Sequence, residues 1–314
     1  MIELCELTKR YGPVTAVDTL TCTVHQGQVT GFLGPNGAGK STTMRLILGL
    51  DHPTAGTATV AGRRYVELPA PMRQVGALLD AGAVHPRRSS FHHLLALAQS
   101  NGIGRSRVDH VLGLVGLDTV ADRRVGTFSL GMLQRLGLAV ALLGDPPVLI
   151  LDEPMNGLDP EGMRWMRALV RDLAAEGRAV LLSSHLMGEI GQTADRVIVI
   201  GQGRLIANTS INQLLRAGGR GAVLVRVAAA DGEDFAQTLV SAGAAVDRIE
   251  DGAFAVSGLT SVDIGRMAAM QSVPLAELTP HRLSLEEIFL GLTAESAEYR
   301  TERIPKAAQR EAAE

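Results

Sequence analysis

The sequence has few cysteines and no long apolar run, and each shortage excludes a class of protein. The two cysteines, Cys5 and Cys22, are too few for a disulfide scaffold. Both stand in apolar, strand-like patterns, so we predict two buried free thiols. The most apolar candidate span, residues 136–151, is interrupted by Asp-Pro-Pro, so we expect no membrane-spanning helix. The first residues lack the basic and apolar regions of a signal peptide, and we expect none.

Lysine and aromatic residues are also scarce, and the charge is balanced. The 314 residues contain only three lysines, at positions 9, 40 and 306, and 3% aromatic residues. The formal net charge of -3 gives no overall attraction to nucleic acid or to anionic lipid, so we expect no nucleic-acid partner. A chain of this length has room for two domains.

One of the three lysines follows a glycine-rich loop. Residues 29–33 form an apolar run typical of a buried strand, residues 34–39 form the loop, and Lys40, Ser41 and Thr42 open a helical pattern. This is G-x-x-x-x-G-K-[ST] in a strand–loop–helix context. The glycines let backbone amides approach phosphate oxygens closely, Lys40 supplies a charge to the phosphates, and the Ser41 hydroxyl is suited to Mg²⁺. The loop predicts binding of a nucleoside triphosphate.

Polar residues end two further apolar runs. Residues 147–151 run into Asp152 and Glu153, and unpaired acids at the end of a buried strand are costly without a use. We predict that Asp152 completes the Mg²⁺ shell and that Glu153 orients or deprotonates the attacking water. Residues 180–184 lead to His185, which at the same sheet edge can donate a hydrogen bond to a γ-phosphate oxygen.

Tyr11 is one of three tyrosines in the chain and follows a predicted strand, in a predicted turn over residues 8–12. An ordinary turn tyrosine explains it, and so does a flat face on which a purine stacks beside the phosphate loop.

The stretch 90–144 has helical periodicity, with Phe91, Leu94, Leu95 and Leu97 recurring together. We predict a mostly helical insertion here. Ser129 near its last helix is at minimum a helix N-cap.

The order of these motifs resembles that of the nucleotide-binding subunit of ATP-binding-cassette (ABC) transporters, over residues 1–215. Residues 34–41 match the family's Walker A, 149–153 its Walker B with the catalytic glutamate, 128–132 its signature, and 157–160 its D-loop. His185 matches the switch histidine, and Tyr11 falls where the family's adenine-stacking aromatic lies.

The resemblance implies a role for each matching residue. Implied contacts to the nucleotide come from Tyr11, Gly34, Asn36, Gly37, Ala38, Gly39, Lys40, Ser41 and Thr42. Signature and D-loop residues that act on a partner's ATP are Ser129, Leu130, Gly131 and Asp159. The catalytic residues are Glu153 and His185, and the metal ligands are Ser41, Asp152 and Asp80.

Two positions depart from the family pattern. The signature usually reads Leu-Ser-Gly-Gly-Gln and here reads Phe-Ser-Leu-Gly-Met, so Met132 lacks a side-chain amide. Asp80 stands where the family has a glutamine after a strand; it can still ligate Mg²⁺ or a water, with coupling to the membrane subunit tuned differently. Both departures are similar to those of drug- and peptide-antibiotic export subunits, which favours an exporter over an importer.

The family also implies cofactors and partners. We expect an ATPase that uses ATP and Mg²⁺ and pairs with a second nucleotide-binding subunit, as a homodimer or a heterodimer. It would act at the cytoplasmic face of the cell membrane through a separate transmembrane permease, moving a drug-like, peptide or lipid substrate. The alternative is a soluble ABC ATPase acting on ribosomes or DNA, but such proteins usually carry two cassettes or a coiled-coil insertion and basic surfaces. A P-loop kinase would not need the signature.

The last hundred residues have a different pattern. After a linker candidate at 216–221, strand and helix signals alternate as βαββαβ, which predicts a small ferredoxin-like domain over 222–293. Its last helix starts with a capping box between Ser284 and Glu287. We expect a packing, dimer-stabilising or regulatory role, and a charged surface helix or disorder in the tail 294–314. The predicted fold class is therefore α/β: a P-loop NTPase cassette with a mixed sheet and a helical subdomain at 90–144, plus this α+β domain.

Overall fold

A computed structural model describes residues 1–184, 187–217, 222–280 and 284–293. The chain divides into two compact units, the first formed mainly by Met1–Ile211 and the second by Asn212–Gly291.

In the residues that the structure describes, the first unit contains nine strands and seven helices. The strands are β1 (Ile2–Tyr11), β2 (Val14–Val24), β3 (Gln28–Leu33), β4 (Ala55–Val60), β5 (Val75–Leu78), β6 (Val148–Leu151), β7 (Ala179–Ser183), β8 (Arg196–Gly201) and β9 (Arg204–Ser210). The helices are α1 (Lys40–Ile47), α2 (Pro71–Gln74), α3 (Ser90–Ser100), α4 (Arg105–Leu114), α5 (Leu130–Leu142), α6 (Pro160–Ala175) and α7 (Met187–Thr193). A further helix, α8 (Ile211–Ala217), begins at the end of this unit and enters the predicted linker 216–221, of which residues 218–221 lie outside the described part.

A six-stranded sheet forms the centre of this unit, in the order β5-β6-β7-β3-β8-β9. All neighbouring strands are parallel except β9, which pairs antiparallel with β8. The strands β3, β6 and β7 are almost entirely apolar and buried, as expected of parallel strands that are covered on both faces. Because parallel strands end at the same edge, the residues that follow β5, β6, β7 and β3 lie side by side there.

A three-stranded antiparallel sheet, β2-β1-β4, packs with α1 and the central sheet around one hydrophobic core. Here two predictions were wrong. The turn placed at 8–12 is strand, because β1 continues through Tyr11, which pairs with Val14, and Gly12 at φ 56° turns the chain. Cys5 is exposed because alternation along β1 puts it on the face opposite the buried Ile2 and Leu4; only Cys22 is buried.

The predicted helical insertion at 90–144 is confirmed. It consists of α3, α4 and α5 with a non-helical connection and two short 3-10 turns between the last two. Leu94, Val108, Val111 and Leu112 are fully or almost fully buried and join the first two helices. The last helix, α5, packs on β5 of the central sheet.

The second unit has the predicted βαββαβ order. Its elements are β10 (Val223–Val227), α9 (Ala229–Ser241), β11 (Ala245–Glu250), β12 (Ala253–Ser257), α10 (Ser261–Met270) and β13 (Leu275–Pro280). The strand order is β11-β12-β10-β13 with every neighbouring pair antiparallel, which is the ferredoxin-like arrangement. Val225, Phe235, Val256 and Ile264 are buried in its core.

The last described helix is α11 (Leu285–Thr293). Its predicted capping box is confirmed, since Ser284 Oγ accepts from Glu287 N at 3.2 Å and Ser284 N donates to Glu287 Oε2 at 2.7 Å. The predicted tail 294–314 lies outside the described residues. Within the described ranges, no helix is long and apolar enough to cross a membrane.

Candidate functional site

The phosphate loop has a backbone that glycine permits. Gly37 and Gly39 adopt φ of 80° and 101°, the left-handed region that side chains disfavour. A Cβ on Gly39 would lie 2.3 Å from the Ala16 carbonyl oxygen, so no larger residue fits at the start of α1. Thr43 Oγ1 donates to Gly39 O at 2.9 Å and fixes this first turn. The loop is thereby held in the curved form whose amides bind phosphate.

The Lys40 ammonium lies inside this loop. Its Nζ donates to the carbonyl oxygens of Gly34 at 2.6 Å and Pro35 at 3.1 Å, and the residue is 9% exposed. Burial lowers the pKa of Lys40 below its usual value, and the charges of Glu153 and Asp152 oppose that shift. The lysine is therefore pre-positioned as a donor for the anion that the loop encloses.

A chain of hydrogen bonds joins the first turn of α1 to the ends of β6 and β7. Ser41 Oγ donates to Asp152 Oδ2 at 2.8 Å, so the first turn of α1 contacts the residue after β6. Ser183 Oγ, at the end of β7, donates to Asp152 Oδ1 and accepts from Glu153 N at 2.9 Å. Ser183 is fully buried, and both acids that it contacts are half-buried. One hydroxyl thus sets the position of both acids.

Glu153 has a strained backbone, with φ of 50° in a residue other than glycine. Asp152 N donates to Leu78 O at 2.7 Å, which ties the acid pair to β5 as well. A non-glycine residue in this region is costly unless its surroundings hold it, and here the Ser183 hydroxyl and β5 do so. The strain turns the chain sharply after the strand.

These groups line an open pocket of about 280 Å³. Its lining comprises Ala16, Asn36, Gly37, Ala38, Gly39, Lys40, Ser41, Thr42, Asp152 and Glu153. The sequence analysis named all of these residues except Ala16. Ala16 belongs to no motif, and it lines the pocket because β2 passes close to the phosphate loop.

Tyr11 is not among the described residues that line this pocket. Its hydroxyl donates to Asp51 Oδ2 at 3.0 Å, and Lys9 Nζ lies 4.8 Å from its ring centroid. Desolvation and the hydrogen bond to Asp51 raise the pKa of the Tyr11 phenol. The residue is still 45% exposed, so part of its surface stays accessible.

Asp80, the third predicted metal ligand, follows β5, which pairs with β6, the strand that precedes Asp152. Its Oδ1 accepts from Gly82 N at 2.7 Å, which forms a local turn. Across the described part of the chain, no three His, Cys, Asp or Glu side chains converge as a metal cluster. Ser41 and Asp152 do converge, and two oxygen donors with room for phosphate oxygens are the ligand set that Mg²⁺ prefers.

The signature and the D-loop pack against each other. Ser129 caps α5 by accepting from Met132 N at 3.3 Å, and Asp159 caps α6 by accepting from Gly162 N at 2.7 Å. Gly157 has φ of 71°, and a Cβ there would lie 2.1 Å from Leu130 Cδ2. The side chain of Leu130, where the family signature usually has a glycine, thus packs on the D-loop backbone at Gly157.

His185 lies outside the described residues. The strand before it, β7, lies between β6 and β3, the two strands that carry the acid pair and the phosphate loop. Because β7 is paired with β6, Ser183 at the end of β7 reaches Asp152 and Glu153. The sequence analysis did not single out this serine. The available signal was a polar residue closing the otherwise apolar run 179–182.

Comparison with known proteins agrees with this architecture. The ABC transporter family model matches residues 17–156, and a family described as a domain of unknown function matches 222–286. The bacitracin transport ATP-binding protein BcrA of Bacillus licheniformis is 42% identical over 217 residues, which cover 68% of this chain and 71% of that protein. The lantibiotic transport ATP-binding protein SrtF of Streptococcus pyogenes is 34% identical, with 66% of this chain and 89% of that protein covered.

A solved structure shares the fold. It is the dimeric post-hydrolysis state of an ATP-binding cassette bound to ADP and Pi, with a TM-score of 0.62 and 22% identity over 67% of this chain and 99% of that chain. The family of this chain follows from the extent of its match to the bacitracin transport protein, together with the phosphate loop and the adjoining acid pair. The chain is an ATP-hydrolysing, ATP-binding subunit of the ABC transporter family.

Proposed function

We propose that two copies of this chain close on ATP and drive export of a peptide antibiotic through a separate membrane permease. One observation supports the pairing of two copies. The described lining of the pocket comes from the phosphate loop, Ala16 and the acid pair, and it includes no residue of the signature or the D-loop. The site of one chain is therefore half a site, and the signature of a second copy would complete it. The solved cassette of the same fold is a dimer.

Within each half-site, we assign the residues as follows. The loop amides and Lys40 bind the phosphates, and Ser41 with Asp152 would hold Mg²⁺. A bound Mg²⁺ would neutralise charge on the phosphate oxygens. Glu153 orients the attacking water and accepts its proton. The Ser183 hydroxyl keeps both acids in place.

Four predicted roles complete the assignment. Tyr11 offers its exposed surface to adenine, and His185 donates to the γ-phosphate at the end of β7. Asp80 interacts with Mg²⁺ or its water by its carboxylate. Ser129 and Asp159 act on the nucleotide held by the other copy.

The substrate class rests on the relatives. The two relatives described above are named for bacitracin and lantibiotic transport, and both classes of compound are peptide antibiotics. We therefore narrow the expected cargo from drug-like, peptide or lipid compounds to peptides. The subunit would work at the cytoplasmic face of the cell membrane, held there by the permease.

Deletion of the gene in its own host tests this function. We expect greater sensitivity to bacitracin-like or lantibiotic peptides, restored by the wild-type gene and not by Glu153→Gln. The tagged protein should sediment with membranes and leave them when the permease gene is removed. Unchanged sensitivity together with stable sedimentation on ribosomes would replace the exporter with the soluble alternative.

A further inference from the structure

The only tryptophan of the chain, Trp165, forms a contact that no sequence motif accounts for. The Arg135 guanidinium carbon lies 4.2 Å from the centroid of the Trp165 ring, within the range of a cation–π interaction. Arg135 is on α5 and Trp165 is on α6, so the contact joins the helix of the signature to the helix of the D-loop. Both side chains are half-buried.

The two residues occupy equivalent positions on their helices. Arg135 lies six residues after the N-cap Ser129, and Trp165 lies six residues after the N-cap Asp159. At 1.5 Å per residue, each is about 9 Å along its helix from the capping residue. A second contact, Leu130 on Gly157, lies at the capped ends.

Arg135 is itself held from the other side. Its Nη1 donates to Val115 O at 2.9 Å, at the end of α4, and a Cβ on Gly116 would lie 3.2 Å from the same Nη1. The guanidinium therefore contacts the end of α4 in the helical insertion and the Trp165 ring on α6 at the same time. An arginine can do both because its planar group donates from its edge and stacks by its face.

We propose that Arg135 and Trp165 are positioning residues that lock the signature and the D-loop into one unit. Two contacts about 7.5 Å apart along α5 fix the relative orientation of α5 and α6, where one contact would leave a hinge. The locked unit presents Ser129 and Asp159 together to the nucleotide of the second copy. This inference rests on the proposed pairing of two copies.

Substitution of Trp165 tests the lock in the full-length protein. With Trp165→Leu, we expect kcat for ATP hydrolysis to fall about tenfold, the rate equivalent of a partly desolvated cation–π contact, while KM for ATP changes less than about twofold. The pocket itself holds no atom of Trp165, which is why binding is spared. Trp165→Phe keeps an aromatic face and should restore most of the rate.

A double-mutant cycle assigns the effect to this pair. In the Glu153→Gln background, Trp165→Leu and Arg135→Met should each weaken ATP-dependent dimerisation, and the double variant should be no weaker than either single one. The matched control is Phe91→Leu, which removes the ring of the Arg105–Phe91 cation–π contact within the helical insertion and should leave dimerisation unchanged. Additive losses in the cycle, or equal losses with Trp165→Phe and Trp165→Leu, would overturn the proposal.

A measurement on single copies separates this inference from the pairing. Without ATP, hydrogen exchange of residues 129–133 should rise about tenfold in Trp165→Leu and stay unchanged in Phe91→Leu, because the capped end of α5 loses its second anchor. If the Glu153→Gln parent fails to dimerise while this exchange rises, the pairing is wrong and the lock stands. If hydrogen exchange of residues 129–133 does not rise, the proposed role of Arg135 and Trp165 is wrong, whether or not the Glu153→Gln parent dimerises.

Discussion

Ser183→Ala removes a hydroxyl that touches both acids of the site without touching the nucleotide pocket. The substitution deletes both the bond that Ser183 donates to Asp152 and the bond that it accepts from Glu153 N. Ser183 itself is fully buried, and its two partners are half-buried. The backbone of Glu153, at φ 50°, then loses a group that holds it in a costly conformation.

The magnitude follows from these two losses. A hydrogen bond to a charged group contributes about 1.5–3 kcal/mol, and a hydrogen bond from a backbone N–H contributes about 0.5–1.5 kcal/mol. Allowing for partial relaxation, we expect Ser183→Ala to lower the free energy of unfolding of the first unit by about 3 kcal/mol. We expect kcat to fall at least about tenfold as Glu153 loses its position, with KM for ATP nearly unchanged.

Two assays read the two effects. Trp165 is the sole tryptophan and belongs to the first unit, so its fluorescence during urea unfolding reports on that unit. The matched control is Thr30→Val on β3. Thr30 is 1% exposed, and its Oγ1 has no hydrogen-bond partner among the residues described, so its removal should be neutral or slightly stabilising. If Ser183→Ala loses no more stability than Thr30→Val and keeps its kcat, the positioning role of Ser183 is refuted.

Three further predictions concern separate features. Lys40→Met should weaken ATP binding about 100-fold in calorimetric titration, because a buried donor to the phosphates is lost; equal affinity would contradict its role. Burial raises the pKa of the Cys22 thiol to about 12, so native protein should take up one maleimide at pH 8, on the exposed cysteine. From pH 9 to 12 the unfolded thiol ionises before the folded one, so unfolding free energy should fall by up to about 1.4 kcal/mol per pH unit, a loss that Cys22→Ala removes. Gly157→Ala should destabilise more than Gly177→Ala, since both have positive φ but only the first adds a Cβ against Leu130; equal losses would leave backbone strain as the sole cause.

The sequence was sufficient where the signal is local. The phosphate loop is predictable because strand, glycines, lysine and helix are contiguous, and the Ser41–Asp152 contact because parallel strands end at one edge. The ferredoxin-like unit could be predicted from its alternating strands and helices. The start of α11 could be predicted from the Ser284 capping box.

Features that depend on pairing could not be predicted. Ser183 acquires its role because β7 lies between β6 and β3 with Leu182 opposite Leu151, which no local pattern encodes. Leu7 returns to the buried face of Ile2 and Leu4 because the pairing of β1 with β2 shifts register between Leu4 and Leu7. The start of α9 at Ala229 has no local signal either, because its N-cap, Ala228, makes no side-chain hydrogen bond.

In the proposed mechanism, each chain holds half of an ATP site and a second copy completes it. Light scattering of the Glu153→Gln protein, with and without ATP and Mg²⁺, tests this most directly, because slowed hydrolysis should preserve the closed pair. We expect the mass of one chain without nucleotide and twice that mass with ATP, and we expect Lys40→Met to abolish the change. A mass that stays at one chain while ATP is demonstrably bound would contradict it.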